Sequence, residues 1–336
     1  MTSGSGDGLI LAADIGGTKA RLGLFRAAGR GRIGAASAEA EWPCSDFASL
    51  EAMLREFGSR YGANPRAVSI GYAGAVSEGR GVGTHVPWPA DERELTKKLG
   101  APAHVVNDLV ASGYGIPALT DDDLITLIPG APGAPGNAVI VSAGTGLGEA
   151  TLLRYDGDLI PVASEGGHAD FAARTDLEIE VLRTLRAQFG RVSVERVLSG
   201  QGLGNVARVL HALDGAGAAL ASHLDAAGPE GLPALVSGNG LSGACPSCVR
   251  SLELLVSAYG AQAGNAALRS MALSGVYLGG GVAPKILPAL QQPLFREAFL
   301  AKEPHRELLE RIPVYVIRTD RSALLGAARY ATLQAS

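Results

Sequence analysis

The feature that most constrains this chain is a strand–glycine turn–strand unit that occurs twice. The first copy is Leu9–Phe25 (LILAADIGGTKARLGLF), in which small apolar residues run into Asp14-Ile15-Gly16-Gly17-Thr18 and an alternating stretch leaves the turn. The second is Asn137–Arg154 (NAVIVSAGTGLGEATLLR), again apolar strand, glycine-rich turn and strand. Short apolar or alternating runs bounded by glycine read as β-strands. Further strands are expected at Ala67–Ala73 and Ala103–Asn107, and helices over Phe47–Phe57, Asp108–Tyr114 and Thr175–Phe189. Beyond Asp158 the pattern is mainly helical, with loops at Asp214–Gly217 and Ala226–Gly243, and Pro129–Gly136 reads as a connector. A last strand, Pro313–Ile317, and a helix over Ala323–Leu333 capped by Ser322 are expected to pack back on the first half.

A duplicated arrangement of this kind predicts an α/β protein of two lobes with a cleft between them. The length of 336 residues is too great for one small domain and comfortable for two lobes, each with its own core. The expected division is a small α/β domain from residues 1–118 plus 313–336 and a large α/β domain from residues 119–312.

Composition removes several classes of function. Apolar residues make up 47% and charged residues 18%, which describes a globular chain. No apolar run is long enough to cross a bilayer, so no membrane role is expected. Met1–Gly8 has neither a basic patch nor an apolar stretch and reads as a lead-in rather than a signal peptide. A net charge of -4 provides no electrostatic footprint for nucleic acid. A polyanionic ligand must then be held locally, by backbone N–H groups and a metal ion. Three cysteines, Cys44, Cys245 and Cys248, are too few for a disulfide framework. Cys245-Pro-Ser-Cys248 has redox or zinc spacing but no second ligand pair follows, so a reduced structural pair and a cytoplasmic location are expected.

The turns carry the first piece of chemistry. Glycine permits positive φ and close approach of backbone to ligand, and consecutive amides in such a turn converge on an anion. Gly16, Gly17 and Thr18 form one such cradle; Asp14 beside them is suited to holding hydrated Mg²⁺ through water. Lys19 and Arg21 add positive charge, although alternation is expected to send one of them to the wrong face. Gly144-Thr145-Gly146 is the matching turn, and Gly279-Gly280-Gly281 leaves room for a flat group such as adenosine. Two empty hairpins would explain each turn singly; two equivalent turns, each with Thr, favour phosphate binding. The chain has no GxxxxGK[ST] P-loop, and no GxGxxG between a strand and a helix.

The second piece is an acceptor site. Asn107-Asp108 ends a strand and opens a helix. Asp there is an ordinary helix cap, or a carboxylate placed to take a proton from a sugar hydroxyl during phosphoryl transfer. The helix N-terminus is expected to lower its pKa. Glu165-Gly166-Gly167-His168 is a second polar cluster, too poor in ligands for a closed metal site. Glu195 alone would pass for a surface acid. Asn107, Asp108, Glu165, His168 and Glu195 together supply the paired donors and acceptors that a neutral sugar needs.

With these residues in view, the chain resembles the bacterial glucokinases of the hexokinase-like superfamily. The resemblance is carried by AADIGGTKARLGL (Ala12–Leu24), VVNDLVASGYGIPAL (Val105–Leu119), SAGTGLGEA (Ser142–Ala150), SEGGHADFA (Ser164–Ala172), SVERVLSGQGL (Ser193–Leu203) and YLGGGVAPKIL (Tyr277–Leu287), in the expected order. It implies a duplicated actin-like (ribonuclease H-like) fold and MgATP-dependent phosphorylation of the glucose 6-hydroxyl. It also implies that Asn107, Asp108, Glu165, His168 and Glu195 bind sugar, with Asp108 the general base. The nucleotide would sit on Gly16–Thr18, Gly144–Gly146 and Gly279–Gly281. Such enzymes close their lobes on substrate and commonly form homodimers.

Two positions depart from the family pattern. Lys19 follows GGT where Asn is usual, as in the related ROK kinases, but FAARTDLEIE stands where those place a cysteine-rich zinc motif. Thr84–Trp88 (THVPW) replaces a more polar loop near the sugar. The enzymatic alternatives are a kinase of mannose, fructose or an N-acetylated hexosamine, or a polyphosphate-using glucokinase. A non-enzymatic sugar sensor is disfavoured because the first strand begins near Leu9, leaving no room for a helix-turn-helix module, and because Asp108 is retained.

Overall fold

Two copies of one strand order organise the structure, a computed structural model that describes residues 8–83, 85–131, 133–214 and 228–334. In the first sheet β1 (Leu9–Ile15) is almost wholly buried and lies at the centre, while β2 (Lys19–Ala27) pairs with it antiparallel. β3 (Ile33–Pro43) alternates half-buried and exposed residues, as an edge strand with one wet face must. On the other side β4 (Ala67–Tyr72) runs parallel to β1. β5 (Ala75–Ser77), β6 (Arg80–Val82) and β7 (Ala90–Asp91) form a small separate sheet. β8 (Ala103–Asn107) runs parallel to β4 and completes the order β3-β2-β1-β4-β8.

The second sheet contains β9 (Leu124–Ile128), β10 (Ala138–Ala143), β11 (Leu147–Tyr155), β12 (Asp158–Ser164), β13 (Gly275–Gly279) and β14 (Val314–Ile317). Its order is β12-β11-β10-β13-β14-β9. With β9 set aside, the two orders correspond strand for strand. An antiparallel hairpin, β1–β2 or β10–β11, is followed on the other side by a parallel pair, β4–β8 or β13–β14. Asp156 and Gly157, both at positive φ, close the tight turn between β11 and β12.

The chain separates into two units. One comprises Met1–Asp122, Tyr155–Val162 and Thr319–Ser336, the other Asp123–Arg154 and Ala163–Arg318. β14 belongs to the second sheet, not to the first half as the terminal strand–helix pair suggests from sequence. Val314 and Val316 are fully buried there among the residues of the second core. The segment from Thr319 onward returns to the first unit, where the helix Ser322–Gln334 packs on β1, β4 and the helix Asp108–Gly115.

Each unit has its own core. Met53, Phe57 and Tyr72 are fully buried in the first, Tyr259, Phe295 and Phe299 in the second. Full burial of one such side chain is worth roughly 1.5–3 kcal/mol. The first helix starts at Leu50, later than expected, because Ser49 Oγ accepts from Ala52 N at 3.1 Å and so caps it. Phe47 stays outside the helix and stacks on Trp42, ring centroids 5.2 Å apart. Thr175 caps the helix Asp176–Phe189 in the same manner.

One loop expectation is overturned. Gly228–Ser242 is helical despite its glycines and Pro233. Leu232 and Val236, one turn apart, are buried in the second core, and that burial outweighs poor intrinsic propensity. Residues 215–217 and 226–227 of the expected loops lie outside the described residues. Cys44, Cys245 and Cys248 are free and buried. Cys245 Sγ accepts from Cys248 N at 3.2 Å and caps the long helix Pro246–Ser270, a structural use of the pair.

Candidate active site

In the first unit, Asp14 stands near the C-terminal end of β1 and the hairpin turn Gly16–Thr18 follows it. Gly16 N donates to Lys19 O at 3.0 Å and closes the turn. Neither Gly16 nor Gly17 has a positive φ, so conformational freedom is not why glycine stands there. The reason is space: a Cβ on Gly17 would lie 2.9 Å from the carbonyl oxygen of His85. The loop that carries His85 is pinned by buried Val86 and by Tyr72, whose hydroxyl donates to Trp88 O at 2.8 Å. Thr84, at the head of this loop, lies outside the described residues.

Lys19 and Arg21, two apart on β2, share one face, contrary to the expectation that one would be turned away. Lys19 Nζ donates to Glu41 Oε1 at 2.6 Å and Arg21 Nη2 to Glu41 Oε2 at 2.8 Å, with Glu41 on neighbouring β3. Arg21 also binds Asp320. Asp320 and Glu41 were not singled out from sequence. Asp320 follows β14, almost at the other end of the chain from Asp14, and nothing local marks it; its position just past a strand end is the only signal.

Asn107 and Asp108 close β8 and open the helix Asp108–Gly115. The cap is Asn107, not Asp108: Asn107 Oδ1 accepts from Leu109 N at 3.0 Å and from Val110 N at 3.2 Å. Its Nδ2 donates to Gly74 O and to Asp108 Oδ1, each at 3.0 Å, so Asn107 also orients the neighbouring carboxylate. Asp108 Oδ1 accepts in addition from Leu109 N at 2.9 Å. Burial pushes the Asp108 carboxyl above its ordinary value, and the donors at the helix N-terminus oppose that rise without cancelling it. The expected lowering by the helix is therefore outweighed by desolvation. Asp14 is pushed up to about 7, first by burial and then by the negative charge of Asp108, with Arg21 pulling the other way. The charge of Asp108 disfavours that of Asp14, and the two carboxylates make an oxygen-only donor set. That chemistry suits a hard, hydrated cation held by a carboxylate and its ligand's phosphates. Among the described residues no group of three His, Cys, Asp or Glu forms a protein-only metal cage.

In the second unit the turn Gly144–Gly146 joins β10 to β11. Gly144 N donates to Gly146 O at 2.8 Å, and Gly200 N donates to Gly144 O at 2.8 Å. A Cβ on Gly146 would lie 2.5 Å from Glu195 Oε2, the same oxygen that accepts from Leu147 N at 2.9 Å. Glu195, which the sequence groups with the sugar residues, is thus fastened to the expected nucleotide turn. His168 Nδ1 stands 3.9 Å from Glu195 Oε1. Exposed Glu165 precedes the short turn that ends in His168, and its carbonyl accepts from His168 N at 2.9 Å. Gly166 and Gly167 are both required by close approach: a Cβ would lie 2.5 Å from Glu149 Oε2 at the first and 2.0 Å from Leu147 O at the second. Gly280, at φ +78°, has a notional Cβ 2.3 Å from Ala143 O, so the third glycine run lies directly against the end of β10.

The chosen residues divide between the two units. Asp14, Gly16–Thr18, Asn107 and Asp108 belong to the first unit; Gly144–Gly146, Glu165, His168, Glu195 and Gly279–Gly281 belong to the second. Buried Glu149 was overlooked. It supports Gly166 from beneath, accepting from Gln262 Nε2 at 2.6 Å and Arg269 Nη2 at 3.1 Å, and a buried acid in a strand is the signal that marks it.

A sheet order repeated around paired glycine hairpins, with acids at strand ends, is that of the actin-like ATPases and sugar kinases. A ROK family glucokinase from Streptomyces griseus shares this fold with a TM-score of 0.62 at 22% identity, over 96% of this chain and 99% of that one. A crystal structure of glucokinase from an Antarctic psychrotroph superposes with a TM-score of 0.86 at 29% identity, over 98% of this chain and 99% of that one. The glucokinase family model matches residues 11–334. A curated glucokinase of Marinobacter nauticus is 37% identical over 321 residues, covering 95% of each chain. The chain belongs to the glucokinase family.

Proposed function

We propose that this protein transfers the γ-phosphoryl group of ATP to the 6-hydroxyl of glucose, giving glucose 6-phosphate and ADP. The observation that carries the reading is the pair Asp14 and Asp108, set at the ends of β1 and β8 in one sheet and coupled in charge. Asp108 acts as general base. Asn107 and Leu109 N hold its carboxylate in place, and its raised pKa brings it nearer the operating pH, where a base is most effective. As the sugar oxygen attacks the γ-phosphorus, its proton passes to Asp108 and the bond from phosphorus to the ADP oxygen breaks.

Glu165, His168 and Glu195 bind the sugar hydroxyls, while Asn107, expected from sequence to join them, has both amide donors and both lone pairs engaged within the protein and instead holds Asp108. Gly16 N and Gly144 N are spent on closing their turns, so the remaining backbone N–H groups of Gly16–Thr18 and Gly144–Gly146 hold the phosphates, and Gly279–Gly281 accommodates the adenosine. Asp14 holds hydrated Mg²⁺ through water; when bound, the ion neutralises charge on the transferring and leaving phosphates. The protein works in the cytoplasm as a glycolytic enzyme and a homodimer. Family membership supports this reading, and no described helix is long and apolar enough to cross a membrane.

The test is a coupled ADP-release assay with MgATP, comparing glucose, mannose, fructose and N-acetylglucosamine at equal concentration. Glucose is expected to give the highest kcat/KM. A higher value for another sugar would keep the chemistry and reassign the acceptor; no turnover with any of them would remove the kinase reading.

A further inference from the structure

Behind the segments that carry His168 and Glu195, the second unit contains a pocket of about 150 Å³ that the proposed reaction does not use. Its wall includes Ala169–Ala172 and Val194, and across from them Gln262, Asn265 and Arg269 of the helix Pro246–Ser270, together with Arg174 and Lys302. Its charged lining is three cations and one acid, Asp170, which already pairs with Arg191 at 3.1 Å. Arg174 is engaged by Glu178, and its Nη2 also donates to Ser257 Oγ at 3.0 Å. Arg269 is engaged by Glu149 at 3.1 Å.

Lys302 differs from the two arginines: its ammonium has no hydrogen bond or ion pair to any described residue. The side chain is half-buried, and a Cβ on Gly264 would lie 3.0 Å from its Cε, so the stem is closely held. Burial and the charge of Arg174 both hold the Lys302 ammonium below the usual lysine range. A partly desolvated cation beside a second cation, with no counter-charge, is an unfavourable arrangement unless an anion completes it. The arginines retain unused N–H donors: Arg174 bonds Glu178 and Ser257 only through Nε and Nη2, and Arg269 bonds Glu149 only through Nη2.

We infer that this pocket binds a small tetrahedral oxyanion of the phosphate class, with Lys302 as its principal counter-charge and Arg174 and Arg269 as flanking donors. The volume admits such an ion together with ordered water. Its near wall is a two-stranded ribbon in which Phe171 N donates to Val192 O at 3.0 Å and Val194 N to Ala169 O at 2.8 Å. Residues next in sequence to that ribbon are His168 on one side and Glu195 on the other, so the site backs directly on them.

The test is isothermal titration of inorganic phosphate into the full-length protein at constant ionic strength set with KCl, with MgADP present at saturation. Wild type is expected to bind a single phosphate. Lys302→Met keeps most of the apolar stem and should weaken that binding about tenfold or more, and Lys302→Arg should retain it. Melting curves without phosphate verify that both variants are folded. Equal affinity in wild type and Lys302→Met would overturn the assignment, as would the absence of phosphate binding to wild type. Should Lys302→Met fail to fold, crystals of the wild type soaked in selenate decide the matter. An anomalous peak within hydrogen-bond reach of Lys302 Nζ supports the site, and its absence from the pocket refutes it.

Discussion

At the residue scale, function turns on carboxylates whose environments depart from water. Because Asp108 must be ionised to accept a proton and its pKa is raised by burial, kcat/KM should fall as pH drops through that raised value. A pH–rate profile should show an acidic limb above the ordinary aspartate range, and Asp108→Asn should reduce kcat by roughly 10²–10⁴-fold while glucose still binds. Asp14 leads to a stability prediction of opposite sense. Its carboxyl keeps a proton up to about 7 in the folded chain but loses it near 3.8 when unfolded. Between those values the folded state holds more protons, so its contribution to stability is full below about 3.8 and is lost as pH rises through about 7. Asp14→Asn should flatten the dependence of the melting temperature on pH across that window. A slope equal to wild type would show that Asp14 is not the buried acid responsible. Asp14 and Asp108 stand out in the sequence because each ends an apolar run; the sign of their pKa shifts does not, since burial is set by chain segments far from both.

At the element scale, the glycines of the turns act by letting other backbone in close. Gly280→Ala places a side chain at φ +78° and 2.3 Å from a backbone oxygen that cannot retreat, so a loss of more than about 2 kcal/mol is expected by denaturant titration. Gly146→Ala is different. Its clash is with the tip of the Glu195 side chain at 2.5 Å, and that carboxylate can swing away. The expected result is a raised glucose KM with stability changed by less than about 1 kcal/mol; a large drop in melting temperature with unchanged KM would contradict the role given to Glu195. Periodicity and turn chemistry made the two hairpins and the strands β4 and β8 readable in the sequence. The helix Gly228–Ser242 was not readable, because its glycines and Pro233 speak against a helix and only burial of Leu232 and Val236 sustains it.

For the whole molecule, the C-terminal helix Ser322–Gln334 ties the first unit together. Arg329 is 5% exposed and donates to Gly31 O at 2.8 Å and Tyr114 O at 3.1 Å, and it pairs with Asp158 at the tip of the β11–β12 turn. Arg329→Met leaves the Asp158 carboxylate and two carbonyls without their partner. A loss of roughly 3 kcal/mol is expected, read as a lower denaturation midpoint; a midpoint within error of wild type would assign the helix's hold to its apolar face alone. The repeated hairpin, the strand-end acids and the motif order are local in the chain, which is why the duplicated α/β architecture and most candidate residues follow from the order of amino acids. The pairing of β14 with β13, the capture of Arg21 by Asp320 and Glu41, the fastening of Glu195 to Leu147, and the unpaired Lys302 in its pocket are decided by contacts between segments distant in sequence. Periodicity reports which face of an element is buried but not against what, and only the packed chain settles which partner each charge and each strand edge meets.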